Sequence, residues 1–510
     1  MKIREPCRLL HISRKGWAPL LEKIVNSVVK VLWDVPMPFA ILFAGFYFTM
    51  ENRFFQLHHL RQFFQQVLVS IRSKSEGIRT DGALSSFHAG NIAIGCLVGV
   101  GCIGGVATAI SIGGPGAVFW MWVAAFVGMI IKMAEVTLSV YYRTRDEEGN
   151  RIGGPTVYIE KGIGEEMNVR SWKILVVLFV AGMLAPVFIS IQNYVASTAI
   201  SSTFNLNIIW VSLLFAVMVY GIIMRGLPFL RKVFKIVIPL MILSYLFLGC
   251  LIIVMNLEKV IPALELIMQH AFLGSAALGG FAGATLSQVI TMGVSQAVYT
   301  SEFGWGTTPV IHSTADVDHP VKQGLWGGFE VFLTSVVICG ITAFVVILSG
   351  DWVSGRTGID LALHSFELTL GTTGKYLVTI ILFLFALTTA SGWYANREIM
   401  VKHLCQKNPK LKRHVLRYVK VFCAFPEFLF VVYVVTFHFP DKDVWLMTGI
   451  MTAVPTFINM FLLLILSHQF KKLVLDYKAR YLKIGKIDEE MLLFYEDKKV
   501  ELQERELGER

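Results

Sequence analysis

The sequence has few charged residues for its length and lacks the motifs of common enzyme classes. Only 16% of its 510 residues are charged, whereas a soluble domain carries about a quarter. The seven cysteines include no C-x-x-C pair, so neither a zinc site nor a disulfide framework is indicated. H-E-x-x-H, Walker A and G-x-S-x-G patterns are also missing. These absences argue against an enzyme and an organic cofactor, and we predict neither.

Apolar residues make up 55% of the chain, and the mean hydropathy is +0.62. They form long runs, each close to the roughly 20 residues that cross the hydrocarbon core of a bilayer. These runs predict an all-α polytopic protein of the cell (inner) membrane, with about eleven spans near residues 30–51, 84–111, 115–141, 173–203, 206–224, 232–255, 271–299, 323–349, 375–395, 416–438 and 444–467.

The formal net charge of +10 is concentrated in alternate loops. Basic residues follow the first, third, fifth and ninth spans, while the loops between them carry few, as the positive-inside rule requires. We therefore expect the odd-numbered loops and the C-terminus in the cytoplasm, the N-terminus outside despite its own basic residues, and a lipid bilayer rather than a nucleic acid as the partner. The charged tail 468–510 is predicted to be a solvated or membrane-surface helix.

Two of the predicted spans are unusually rich in glycine, at residues 90–116 and 274–284. Glycine costs roughly 1 kcal/mol against alanine inside a helix, so such clusters indicate backbone that leaves the helix. A broken helix in a membrane offers free amides to a carboxylate and free carbonyls to a cation such as Na⁺. The alternative is that the glycines only allow close helix packing.

A series of motifs from about residue 30 to 467 resembles the alanine/glycine:cation symporter family, also called the sodium:alanine symporter family. The matching segments are 104–110 (GGVATAI), 113–122 (GGPGAVFWMW), 132–135 (KMAE), 153–162 (GGPTVYIEKG), 301–307 (SEFGWGT) and 318–326 (DHPVKQGLW).

The resemblance implies a leucine-transporter-like core of two inverted five-helix repeats with one additional N-terminal helix. The organisation would then be an N-terminal tail, additional helix and basic loop (1–83), a first repeat (84–256), a second repeat (257–467) and a charged tail (468–510).

The resemblance also implies a sodium ion between the first broken helix and the third helix of the second repeat. The matching ligands are the backbone carbonyls of Gly95, Val98 and Phe385 and the hydroxyls of Thr388 and Thr389. Adjacent threonines are able to supply neutral oxygens, but they also bond back to carbonyls four residues earlier in their own helix. The residues alone favour this second interpretation.

By the same resemblance, a substrate carboxylate would meet the amides of Val100 and Gly101, beside Cys102. The second break would contribute Gly280, Phe281, Ala282 and Gly283, and the remaining lining residues would be Gln192, Asn193 and Trp393. Amides inside membranes also simply hold helices together, so Gln192 and Asn193 have this second interpretation.

The chain departs from the family at three places. Relatives usually read G-T-G-N where residues 99–102 read GVGC, S-N-E-A-G-L-G where 300–306 read TSEFGWG, and G-E where Asn396 and Arg397 stand. The loss of a threonine hydroxyl and an asparagine amide leaves the substrate and any second ion site open.

We therefore expect a secondary active transporter that couples sodium to uptake of a small neutral amino acid, alanine or glycine, with D-alanine and serine also open. The alternatives are a proton-coupled carrier, a channel or a receptor. Lys132, Glu135 and Glu330 lie within predicted spans and are interpreted as structural or gating groups, and as the candidates if a proton is the coupling ion. The sequence leaves the oligomeric state open.

Overall fold

The computed structural model describes residues 27, 33, 36–72, 84–147, 149–189, 191–277 and 285–497. The described chain is mainly helical, with four two-residue strands. Its N-terminal helices are α1 (Pro36–Glu51), α2 (Phe55–His58) and α3 (Leu60–Arg72).

The predicted first repeat contains eight helices and three strands. They are β1 (Leu84–Ser85), α4 (Ser86–Leu97), α5 (Gly104–Gly113), α6 (Ala117–Tyr141), β2 (Thr144–Arg145), β3 (Arg151–Ile152), α7 (Pro155–Tyr158), α8 (Trp172–Phe188), α9 (Ile191–Phe204), α10 (Ile208–Met224) and α11 (Gly226–Met255). A π-helical turn, Ile159–Glu166, follows α7, and β2 pairs antiparallel with β3.

The predicted second repeat follows with α12 (Leu257–Ala277), α13 (Leu286–Ser301), α14 (Thr308–His312), β4 (Ala315–Asp316), α15 (Pro320–Val331), α16 (Cys339–Ser349), α17 (Gly358–Leu404), α18 (Pro409–Phe422), α19 (Phe425–Phe437) and α20 (Asp441–Ile465). A π-helical segment, Phe332–Ile338, joins α15 to α16. Strand β4 pairs in parallel with β1, which ties the start of one half to the other.

The structure confirms a polytopic helical protein and corrects several predicted span boundaries. Within the described residues, six helices are long and apolar enough to span a membrane, or seven if the bent pair at 452–482 is one span. The predicted span 271–299 is not one helix, because α12 begins at Leu257 and a separate helix starts at Leu286. The span predicted at 375–395 lies in the longer α17, whose axis kinks at Gly371. The count of eleven and the two-repeat organisation stay predictions.

Glycines bring the central helices into close contact. Gly324, Gly327 and Gly328 on α15 face α6 and the neighbouring Phe63, and a side chain at any of them would collide with those neighbours. Gly293 on α13 meets the backbone of α6 in the same way. Helix α6 is therefore enclosed by α13 and α15, an arrangement that small residues make possible in membrane proteins.

The C-terminal helix α21 (Ser467–Leu482) corrects the prediction of a solvated tail. Its Phe470, Leu473 and Tyr477 are buried, and the ring of Phe470 meets the ring of Phe48 edge-on, with centroids 5.9 Å apart. One face of this helix is therefore part of the core. The chain beyond 497 lies outside the described residues.

A buried histidine, His319, holds the N-terminus of α15 against α21. His319 Nδ1 accepts the N–H of Val321, and its Nε2 lies 3.2 Å from Asp476 Oδ2. Burial lowers the pKa of His319 to about 4, although Asp476 acts in the opposite direction. The ring is therefore neutral at physiological pH, with its proton on Nε2.

Candidate functional site

The first glycine-rich crossing is a broken helix. Helix α4 ends at Leu97, Val98 has a non-helical ψ of 87°, and Gly99 is extended with φ −123° and ψ −164°. A single 3-10 turn, Val100–Cys102, precedes α5. All residues of the break are buried. The prediction of a break in this helix is therefore confirmed.

Gly99 is needed because two side chains approach its backbone. A Cβ at this position would lie 2.8 Å from Thr389 Oγ1 and 3.0 Å from both amide atoms of Gln192. Any larger residue would push these polar groups apart. The break therefore brings together a threonine of α17 and a glutamine of α9.

The predicted sodium ligands lie on the side of the break that is formed by α4 and α17. Thr389 Oγ1 lies 3.4 Å from the carbonyl oxygen of Gly95 and 3.3 Å from that of Val98. Neighbouring Thr388 bonds back to its own helix, at 3.1 Å from Leu384 O and 3.0 Å from Phe385 O. Thr388 therefore follows the interpretation in which a threonine bonds back to its own helix. Thr389 instead contacts the broken helix, as the resemblance implies.

The five predicted sodium ligands form two adjacent groups. Gly95, Val98 and Thr389 meet across the helix contact, and Phe385 and Thr388 meet within α17. All five atoms are neutral oxygens, the donors that unwound backbone in transporters offers to sodium. These residues fit a hard monovalent cation.

Side chains from three other helices hold the broken segment. The Val100 N–H donates to Gln192 Oε1 at 3.2 Å, and Gln296 Nε2 donates to the Gly101 carbonyl at 2.8 Å. The Cys102 carbonyl accepts the Thr342 hydroxyl at 2.7 Å. Gln192 therefore faces the predicted carboxylate site.

The other predicted substrate residues are distributed differently. Asn193 points away from the break, because its amide donates to Ser212 O at 3.3 Å and its oxygen accepts from Ser197 at 2.9 Å. Trp393 lies on α17, where its indole N–H donates to Glu302 Oε1 at 2.8 Å.

The predicted second break lies partly outside the described residues, and so do Gly280, Phe281, Ala282 and Gly283. The described chain on either side is informative. Gly274 belongs to α12, whereas Thr285 is extended and caps α13 in a reciprocal pair with Gln288. A helix that begins with a capping box does not continue the preceding one.

Tyr299 and Glu302 also lie in this region, although the sequence did not indicate them as site residues. The ring of Tyr299 packs against Gly101, where a Cβ would lie 2.5 Å from the ring. Glu302 is buried beyond α13 and accepts both Thr307 and Trp393. The segment 301–307 marked the family resemblance, but only the fold shows that its carboxylate turns inward.

Two buried networks account for the ionisable residues within the predicted spans. Lys132 Nζ donates to the Glu302 carbonyl at 2.9 Å and lies 3.6 Å from Glu135, which accepts Asn459 at 2.6 Å. Glu330 pairs with His312 at 2.5 Å. Each charge therefore fixes neighbouring elements in place.

A second contact runs from His312 to the start of α4. His312 Nδ1 lies 2.7 Å from Gln323 Nε2, and Gln323 Oε1 accepts the Ser86 hydroxyl at 2.7 Å. This chain of contacts links Glu330 to the helix that breaks at the candidate ion site.

Known proteins resemble this chain over most of its length. The model of the sodium:alanine symporter family matches residues 18–490. The sodium/alanine symporter AgcS of Methanococcus maripaludis is 33% identical over 75% of this chain and 83% of its own length. The probable sodium/glutamine symporter GlnT of Bacillus subtilis is 31% identical over 77% of this chain and 79% of its own.

The fold is also similar to a solved transporter. The crystal structure of MhsT in complex with L-phenylalanine has a TM-score of 0.52 and 16% identity, over 78% of this chain and 95% of that chain. The described chain therefore shares the fold of that protein. From the family model and the relatives together, the chain belongs to the sodium:alanine symporter family.

Proposed function

We propose that this protein is a symporter that couples sodium entry to the uptake of a small neutral amino acid, alanine or glycine. The family and the AgcS relative support sodium-coupled amino-acid symport. The observation that carries the proposal is the buried break at Val98–Gly99, where carbonyls of α4 face Thr389 of α17. A transporter rather than an enzyme is the function this geometry supports.

The proposed sodium site uses Gly95, Val98, Phe385, Thr388 and Thr389. In the described geometry, Thr389 donates its hydroxyl hydrogen to two carbonyls. A cation would take the place of that hydrogen, with the hydroxyl turning its lone pairs inward. Thr388 needs the same rotation away from its own helix. Sodium binding would therefore tie α17 to the broken helix and bias the conformation.

The proposed substrate site lies on the other side of Gly99. A carboxylate would accept the Val100 and Gly101 amides and displace Gln192 Oε1 from Val100. The ring of Tyr299 closes against Gly101, which leaves little room beside it. The proposed preference for a small side chain rests on the family and on the AgcS relative. Cys102 and Trp393 stay proposed lining residues, together with Gly280–Gly283 of the second break.

Transport would follow from alternating access. Because the ion and the amino acid contact the same break, each stabilises the conformation that binds the other, and the two affinities are coupled reciprocally. The two proposed five-helix repeats, 84–256 and 257–467, would rock against each other around this site. The proposed location is the cell membrane, with a cytoplasmic C-terminus.

A second candidate, proton coupling, is supported by one observation. The buried pair of His312 and Glu330 connects through Gln323 to the start of the broken helix. A proton exchanged at this pair would therefore act on the same element as sodium does in the main proposal.

Uptake into proteoliposomes tests the proposal. The purified protein is reconstituted with potassium inside, and radiolabelled alanine, D-alanine, glycine and glutamine are each added with sodium or potassium outside. We expect accumulation of alanine or glycine above the external concentration only with sodium outside. Glutamine is included to test whether this protein transports the substrate for which the GlnT relative is named.

Two results would contradict the proposal. Equal uptake with potassium and sodium, followed by accumulation driven by an imposed pH gradient, would favour the proton-coupled alternative. Uptake that never exceeds the external concentration would indicate a channel.

A further inference from the structure

The segment around helix α18 is strongly basic. Between Glu398 and Glu427, the chain contains seven lysine or arginine residues and no aspartate or glutamate. Lys402 is paired with Glu398 at 3.2 Å. Lys412 is buried and pairs with Glu147, also at 3.2 Å. The other five make no ion pair with any residue that the structure describes, so the protein leaves most of this charge unneutralised.

Three of the unpaired residues share one face of α18. Lys410, Arg413 and Arg417 recur at spacings of three and four residues, which places them on the same side of the helix. All three are exposed. Lys412 lies on a different side of the helix, the one that packs against the protein. Lys410, Arg413 and Arg417 are called the basic face below.

A second face of α18 is apolar and also exposed. Leu411, Tyr418 and Phe422 recur with helical spacing and are 50%, 65% and 52% exposed. The rings of Tyr418 and Phe422 stack, with centroids 6.1 Å apart. This apolar stripe continues into α19 with Phe425 and Leu429, which are exposed as well. It is therefore part of one surface that runs along both helices.

The length of these two helices places the basic face at the surface of a bilayer. Together, α18 and α19 form the segment Pro409–Phe437, which is long and apolar enough to span a membrane. Its 29 residues extend about 44 Å at 1.5 Å per residue, whereas the hydrocarbon core is about 30 Å thick. With Phe437 at one boundary of the core, about the first nine residues lie beyond the other boundary. These residues include the whole basic face.

The geometry points to a binding surface for anionic phospholipid on α18. The basic face would contact phosphates in the headgroup layer, and the apolar stripe would pack against the acyl chains. Arginine suits this role because its guanidinium binds a phosphate through two parallel hydrogen bonds. In the proposed orientation this end of the helix lies in the cytoplasmic leaflet, which contains anionic lipids. Because a basic face and an apolar stripe lie side by side, the occupant is a lipid and not a soluble anion.

Thermal unfolding of the full-length protein in detergent micelles tests this inference. Phosphatidylglycerol or phosphatidylcholine with the same acyl chains is added at low ionic strength, without amino acid. We expect a saturable rise in Tm that is larger with phosphatidylglycerol by about 2 °C or more. The difference between the two lipids should shrink in about 1 M potassium chloride, where the Debye length is about 3 Å.

A triple variant, Lys410→Gln with Arg413→Gln and Arg417→Gln, removes the basic face. The two lipids should then raise Tm equally. All three residues are exposed, so the variant should fold as the wild type does. The comparison is between two lipids within one variant, and a change in its starting Tm therefore does not affect the result.

The matched control removes the same charge elsewhere. Lys472→Gln, Lys483→Gln and Lys486→Gln change three exposed lysines on and after α21. This control should keep the wild-type preference for phosphatidylglycerol.

Three results would overturn the inference. One is an equal response of the wild type to both lipids, and another is a preference that the α18 variant keeps or that the control loses. The third is an equal rise in Tm with glycerol phosphate or with a poly-glutamate peptide, which would indicate a site for soluble anions or acidic proteins. Because no amino acid is present, none of these results bears on the proposed symport.

Discussion

The hydroxyl of Thr389 provides the sharpest test of the proposed sodium site. Thr389→Val keeps the volume of the side chain but removes the oxygen that faces Gly95 and Val98 at 3.4 and 3.3 Å. The proposal expects sodium to bind more weakly, while the fold persists because the methyl groups keep their packing. Thr389→Ser retains the oxygen and should restore most of the sodium affinity.

The expected magnitude follows from the charge of the ligand. A contact between a neutral polar group and a charged one contributes about 1.5–3 kcal/mol. Since 1.4 kcal/mol corresponds to a factor of ten, the sodium concentration for half-maximal uptake should rise about 10- to 100-fold. Adding Thr388→Val removes a second proposed ligand and should weaken sodium binding further.

The assay is alanine uptake into proteoliposomes at graded external sodium. Ser391→Ala is the matched control, because this hydroxyl is also buried on α17 but bonds only to Leu387 O of its own helix, at 2.8 Å. The control should keep the wild-type half-saturating sodium concentration. If Thr389→Val keeps it too, the proposed ion site is wrong.

Three further predictions concern packing, buried charge and pH. Gly101→Ala should abolish uptake by forcing a methyl group into the tyrosine ring beside it, whereas Gly221→Ala, with no atom within 4 Å of the added carbon, should transport normally in the same assay. Lys132→Met should lower the free energy of unfolding by about 3–5 kcal/mol, because it leaves the Glu135 carboxylate without its ion-pair partner. In thermal unfolding, the double variant with Glu135→Gln should regain part of the lost stability. The pKa of His319 in the folded protein is about 4, below its value of about 6.5 in the unfolded chain. Its neutral form therefore contributes to the free energy of unfolding, and this contribution, about 3 kcal/mol, is lost as the pH falls from about 6.5 to 4. A His319→Gln variant should show a flatter dependence of the free energy of unfolding on pH.

Sequence reasoning predicted the break in the first glycine-rich crossing because glycine is informative wherever backbone leaves a helix. Gly99 is the clearest case, since two polar side chains occupy the space a Cβ would need. The contact of Thr389 with Gly95 and Val98 also follows the arrangement that the family resemblance implied.

Rotation of the helices was harder to predict. Polar and apolar residues of α9 follow no amphipathic period, so the sequence of this helix does not state which side faces the site. Asn193 follows Gln192 directly, yet it faces Ser212 on another helix. For the same reason, Gln296 and Thr342 were not recognised as residues that hold the break.

The tail was misjudged for a related reason. Residues 467–482 are rich in charge, which indicated a solvated helix, but Phe470, Leu473 and Tyr477 lie on one face and are buried. Its charged residues are divided: Asp476 and Lys478 are buried as well, with partners in His319 and the Asn52 carbonyl, whereas Lys472 is exposed. The composition of a helix alone does not show which of its residues are buried.

The account depends most directly on the coupling between sodium and amino-acid binding at the broken helix. Equilibrium binding of radiolabelled alanine to the purified protein, measured with and without sodium, tests it. Sodium should raise the alanine affinity, alanine should raise the sodium affinity by the same factor, and Thr389→Val should remove most of both effects. Alanine affinity that is the same in sodium and in potassium would contradict the account.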